Sequence, residues 1–230
     1  MATELPARLE DLVPLQRGVV ARQQALADGM TRHAVTARLE SRRWQKLHDG
    51  VYYTYTGPVP REAQLWAAVL RVGHGAVLSH ETAAEIWGIT DGPTPVIHVS
   101  VPRQAGTLTV PGVRLHYSAR LPDARCLSAP LPVTWPEDTV LDLVNSMASA
   151  AEAAAWLVAA CQRGTVTPGS LSEYLGKPGR ARMRWRGVLL DTLGRFATGD
   201  QAPSPPRSDS SGAAPAGPRR SAGGLPAWPA

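Results

Sequence analysis

The hydrophobic and polar positions along the chain change rhythm three times. Leu9, Leu12, Val13 and Gln16 form one stripe at helical spacing, and Gly18-Val19-Val20 starts a short extended piece. A second helix is predicted over about residues 21 to 28. Asp28-Gly29 then supplies a tight turn, because glycine tolerates positive φ. Thr31 is placed to cap a third helix, in which Val35 and Leu39 point inward. Projection at 100° per residue puts His33, Ala37, Glu40 and Ser41 outward. Thr36 and Arg43 flank one side, and Ala34 and Arg38 the other. Arg32 and Arg42 fall nearer the core, where long stems can reach outward.

Two strand-like runs follow, Trp44-Gln45-Lys46-Leu47 and Val51-Tyr52-Tyr53-Thr54. Asp49-Gly50 joins them and predicts a two-residue type I′ hairpin turn. Helix, glycine turn, capped basic helix and hairpin together describe a winged helix-turn-helix over residues 6 to 56. Lys46 or His48 would then reach the backbone of an adjacent groove. Further on, REAQLWAAVLRVG reads as a helix between Pro60 and Gly73, and HETAAEIWGI as another, with Thr82, Glu85, Ile86 and Ile89 on one face. Ser79 is its expected cap. PVIHVSV and GVRLHYS alternate as half-buried strands do, and the Gly106 region reads as a hairpin between them. Thr134 and Glu137 fit a capping box with Pro136 just inside, ahead of an Ala-rich helix. LSEYL and about Arg180 to Phe196 are the last helices. Residues 60 to 198 are thus expected to form one mixed helix/strand domain. From 201 to 230, Pro, Gly, Ala and Ser fill 23 of 30 positions, so a disordered tail is expected there. The fold class is α/β (α+β).

Composition adds a partner class. The net charge is +5 with a pI near 9.7, which suits a polyanion, and Lys46 and Lys177 are the only lysines. Arginines at the flanks of the third helix suit phosphates, which position a protein without reading sequence. Cys126 and Cys161 are unclustered and suggest buried thiols in a reducing compartment. No run approaches 18 apolar residues and no leader pattern opens the chain, so the expectation is a cytoplasmic protein with no membrane partner.

Enzyme motifs fail one by one. HETAA lacks the second histidine of HExxH at Ala84, and His74 near His80 brings no third ligand. There is no P-loop, GxGxxG or GxSxG. Asp138 and Asp142 sit at a helix start, where acids favour the dipole. Trp66, Trp87, Trp135 and Trp156 lie on apolar segments and read as core anchors. The expectation is therefore no catalytic residue, no metal site and no cofactor.

The pieces GVVARQQALADGMTRHAVTARLESRRWQKLHDGVYY, AVLSHETAAEIWGI, PVIHVSVP and LPVTWPEDTVLDL resemble AbiEi-type antitoxins of type IV toxin–antitoxin systems, over about residues 12 to 198. The resemblance implies a winged helix that binds double-stranded DNA at the operon's own promoter, followed by a region with antitoxin activity. A cognate toxin, or that toxin's target, is the further partner it implies. It places Thr31, Arg32, His33, Thr36 and Arg38 on the recognition helix and Lys46 on the wing; Arg42 and Arg43 join them from the helix projection. Many actinobacterial relatives continue into a domain resembling very-short-patch-repair endonucleases, and the Pro/Ser/Ala-rich tail stands in that place here. The alternative expectation is therefore the DNA-targeting part of such a nuclease, truncated and inactive, with the tail arising from a frameshift.

Overall fold

A computed structural model describes residues 5–198, apart from 107, 120, 122–124, 127–128, 178–179 and 181–182. The tail expected at 201–230 lies outside the described residues. The chain has a mixed α/β fold built around two sheets.

The first 53 residues hold α1 (Ala7–Leu15), β1 (Val19–Ala21), α2 (Arg22–Ala27), α3 (Arg32–Glu40), β2 (Gln45–His48) and β3 (Val51–Tyr53). The stripe on α1 is buried as expected, through Leu9, Val13 and, at its end, Gln16. Gln16 Nε2 donates to the Val19 carbonyl at 3.1 Å, and Gln24 Nε2 donates to Gln16 Oε1 at 2.8 Å. Buried amides are stable only when paired in this way, and the pair fixes α1 against α2. Gly29 takes φ +91 between α2 and α3, the conformation that its turn requires. The three strands pair antiparallel in the order β1-β3-β2.

The β2–β3 hairpin departs from the type I′ expectation. That turn needs positive φ at both central residues, and only Gly50, at +73, has it. The register instead shifts by one between Lys46 and His48, so the extra residue is absorbed as a bulge.

Helix α4 (Arg61–Val72), with Pro60 at its N-cap and Gly73 at its C-cap, packs against both sheets. Its Ala63 and Ala67 share a buried cluster with Val19, Val51 and Tyr53. Leu65, Ala68 and Val69 join Leu78, Val99 and Val133 on the other side. After β4 (Val77–Leu78) comes α5 (His80–Ile86), clamped to α4 by a bidentate pair from Arg61 to Glu85 at 2.8 and 2.9 Å.

The second sheet adds β5 (Ile97–Pro102), β6 (Val113–Ser118), β7 (Arg125–Cys126) and β8 (Val133–Thr134), in the order β6-β5-β4-β8-β7. β5 and β6 are strands as expected, but they pair parallel rather than as a hairpin. Alternation reports a pleat and not a direction. The segment 103–112 is long enough to bring the chain back along a six-residue strand of roughly 20 Å.

Among the described residues four more helices follow: α6 (Pro136–Ser146), α7 (Ala150–Gln162), α8 (Pro168–Gly176) and α9 (Arg186–Thr198). Pro136 occupies the first turn of α6, but the capping box is not formed. Thr134 belongs to β8, and its hydroxyl lies 2.7 Å from that of Thr139, while Trp135 is the N-cap. The expected single Ala-rich helix is broken at 147–149. Ser149 starts α7 afresh by accepting from the Glu152 amide at 3.2 Å. The last helix begins at Arg186 instead of about Arg180. Arg180 is buried and ion-paired with Asp138, which is buried too. That pair, and not the helix dipole alone, accounts for the acid at position 138. Trp66, Trp87, Trp135 and Trp156 all pack against the hydrophobic clusters.

Candidate nucleic-acid interface

Helix α3 is short and weakly amphipathic in sequence, so tertiary contacts must hold it. Val35 is buried and Ala34 and Leu39 pack beside it, against Leu9, Val13, Ala25, Trp44 and Tyr52. Thr31 Oγ1 accepts from the Ala34 amide at 3.1 Å, the cap expected from the sequence. The helix closes with Arg42 in the left-handed region at φ +55, while the Arg43 and Trp44 amides both donate to the Arg38 carbonyl at 3.0 Å. The chain therefore turns sharply from α3 into β2, which brings the hairpin alongside the helix.

Thr31, Arg32, His33, Thr36, Arg42, Arg43 and Lys46 are all exposed. One placement differs from the helical projection. Arg42 lies past the C-cap, where a 100° rotation per residue no longer applies, and it faces solvent. Arg32 also reaches the surface, where it lines a shallow groove with Arg22, Leu26, Thr36 and Tyr52. Arg38 is different again: its guanidinium lies 5.6 Å from the Trp44 ring centroid, and Nη1 donates to the Ala34 carbonyl at 3.3 Å. It covers the tryptophan as well as offering charge. Thr36 Oγ1 donates back to the Arg32 carbonyl at 3.1 Å, so its proton is committed and its lone pairs remain.

On the hairpin, Lys46 is about half exposed and lies 3.4 Å from Asp49, a pair in high dielectric that a phosphate could replace. His48, the other candidate there, is buried and cannot reach a groove. Its imidazole is held down to about 4 by burial and, secondarily, by the Arg71 charge, so it is neutral at pH 7. Between residues 6 and 56 the chain carries eight Arg or Lys against five Asp or Glu. Glu40 is the acid on the outward face of α3.

A second cluster of polar side chains lies in the other sheet, and the sequence reading missed it. His80 pairs not with His74, which is exposed, but with His98 of β5 and His116 of β6. The rings of His80 and His116 stack at 3.7 Å between centroids. His116 Nε2 lies 3.1 Å from His98 Nδ1, and Glu81 Oε2 lies 2.6 Å from the same nitrogen. Burial, and then neighbouring imidazoles, bring His80 down to about 3 and His116 to about 4. Contact with His98 brings the Glu81 carboxyl down to about 2. A histidine at one polar position in each alternating strand was the available signal, and it becomes legible only once the strands are paired.

Among the described residues no helix is long and apolar enough to cross a membrane. The fold is similar to that in the crystal structure of the RV2827C protein from Mycobacterium tuberculosis, at TM-score 0.52 and 20% identity over 85% of this chain and 79% of that one. No curated protein matches the chain. The AbiEi antitoxin C-terminal domain matches residues 75–192, just over half of the chain and the region from β4 to α9. On that match the chain belongs to the AbiEi antitoxin family.

Proposed function

We propose that this chain is a DNA-binding regulator of a type IV toxin–antitoxin system, not an enzyme, and that it docks on its own promoter. Residues 6–56 act as a winged helix-turn-helix: α3 enters the major groove, α2 and the Gly29 turn position it, and the β2–β3 hairpin is the wing. Residues 60–198 carry the antitoxin activity and face the toxin or its target. The observation that carries this reading is the exposed set Arg32, His33, Thr36, Arg42, Arg43 and Lys46, presented on one capped helix and the adjoining hairpin. The buried frame of Leu9, Val35, Trp44 and Tyr52 supports it by holding α3 rigid, so little conformational entropy is lost on docking.

The arginines supply grip. Each phosphate neutralised releases counterions, which makes affinity a steep function of salt. His33 and Thr36 are the outward groups able to contact base edges, and neither forms the bidentate pairs that discriminate strongly, so the chain reads few base pairs by itself. Fluorescence anisotropy with its upstream DNA tests the reading. The folded Arg32→Ala/Arg43→Ala variant binds that DNA at least about tenfold more weakly than the wild type, as loss of two phosphate contacts requires. Equal affinity in the two proteins contradicts the assignment.

A further inference from the structure

Three imidazoles converge where β5, β6 and the start of α5 meet. The ligand-capable atoms of His80, His98 and His116 all lie within 4.8 Å of one another. The fold takes unusual steps to bring them together. His80 adopts φ +51, a left-handed backbone seldom used outside glycine, at the first position of α5. That conformation places its ring over His116. His98 and Ser100 belong to the face of β5 that α5 covers, and both are buried. Ser100 Oγ donates to Ser79 Oγ at 2.8 Å, and Ser79 Oγ lies 3.0 Å from His80 Nδ1. Ser79 therefore orients an imidazole instead of capping its helix.

The cluster is not satisfied by protons alone. His98 Nδ1 has His116 Nε2 at 3.1 Å and Glu81 Oε2 at 2.6 Å, and one N–H on that nitrogen cannot serve both acceptors at full strength. A cation at this point would be stabilised by every group present: imidazole lone pairs from three sides and a carboxylate beside them. The spacing is already near what an ion needs, since two nitrogens bound to one tetrahedral zinc at ~2.05 Å stand about 3.3 Å apart. Access is open as well, because His80 and His116 are only half-buried.

We propose that His80, His98 and His116 bind one divalent first-row transition-metal ion, zinc by ligand type and number, with Glu81 as the compensating carboxylate. A metal lies in the plane of each imidazole that binds it, so one of the two stacked rings turns about its soft χ2 torsion on binding. The bound ion then ties the first turn of α5 to β5 and to the edge strand β6. This is the feature absent from HETAA: the histidines that its helix lacks are supplied by two strands. The inference stands apart from the DNA-binding reading, because none of these residues lies on α3 or the hairpin.

The test is a calorimetric titration of the full-length chain, free of any affinity tag and stripped with chelator, using zinc chloride alone. The expected result is binding of about one zinc per chain, with a rise in Tm as mass action requires. His116→Ala abolishes that uptake and the thermal shift. Glu81→Gln, which keeps all three imidazoles, weakens uptake roughly 10- to 100-fold, as loss of an outer-shell carboxylate does. His74→Ala, an exposed histidine outside the cluster, leaves both readouts unchanged. Cobalt(II) substituted for zinc shows intense visible d–d bands in the wild type, as a low-symmetry nitrogen site produces. If His116→Ala fails to fold, His80→Gln carries the same expectation. Absence of stoichiometric zinc uptake by the wild type, or uptake by a folded His116→Ala chain equal to the wild type's, overturns the proposal.

Discussion

The two sheets of this molecule put their polar side chains to opposite ends. In the N-terminal sheet the apolar side chains of β1 and β3 are buried, and the polar groups of interest lie outside, on α3 and Lys46. In β5 the apolar Ile97, Val99 and Val101 face one cluster, while His98 and Ser100 are buried beneath the start of α5. Alternation usually marks one wet face, but it marks only a difference between faces. What covers the second face decides the chemistry. Exposed polar groups are available to a macromolecule such as DNA, whereas imidazoles packed between a helix start and two strands are not.

The comparison implies that polar substitutions cost far more in the second region than in the first. The largest effect is expected at the buried pair of Asp138 and Arg180, where Arg180 Nη1 has no hydrogen-bond partner among the described residues. Asp138→Ala leaves a buried guanidinium uncompensated and should destabilise the chain by about 3–5 kcal/mol in urea unfolding. The double variant Asp138→Leu/Arg180→Met, which removes both charges, should recover most of that loss.

Acid is the next lever. His48 titrates at about 4 in the folded chain against an ordinary 6.5, so the unfolded chain takes up its proton first as pH falls. Its contribution is present in full above pH 6.5 and is lost as pH falls through 4. Between about pH 7 and pH 5 that amounts to about 2 kcal/mol, at 1.36 kcal/mol per pKa unit. His80 and His116 shift in the same direction and add to the slope. The urea midpoint should therefore drop across this interval, and His48→Gln should flatten part of the drop. The smallest effect belongs to the exposed side. Thr31→Ala removes the cap of α3 and should cost about 1 kcal/mol, with DNA affinity falling as the first turn frays.

Features with local causes were legible in the residues. Gly29 at its turn, Thr31 at its cap, Pro60 and Gly73 at the ends of α4, and the inward face of α1 all followed from short-range rules. Several of the failures share one property, which is that residues outside the local window decide them. The parallel pairing of β5 and β6 depends on where the chain re-enters the sheet. Thr134 fits a capping box by spacing, yet β8 claims it for the sheet. Arg38 fits a flank by angle, yet Trp44 draws it down. The histidine cluster joins positions 18 apart in neighbouring strands to a helix start, so no window along the chain contains it.

The most direct measurement is the salt dependence of binding to the upstream DNA, for the wild type and for Arg32→Ala/Arg43→Ala. If α3 is phosphate-anchored, log affinity falls linearly with log salt in the wild type, and the double variant lowers the slope by roughly 0.9 per lost contact, about 1.8 in all. Identical slopes in two folded proteins would contradict the account, because α3 would then not be the surface that holds the phosphates.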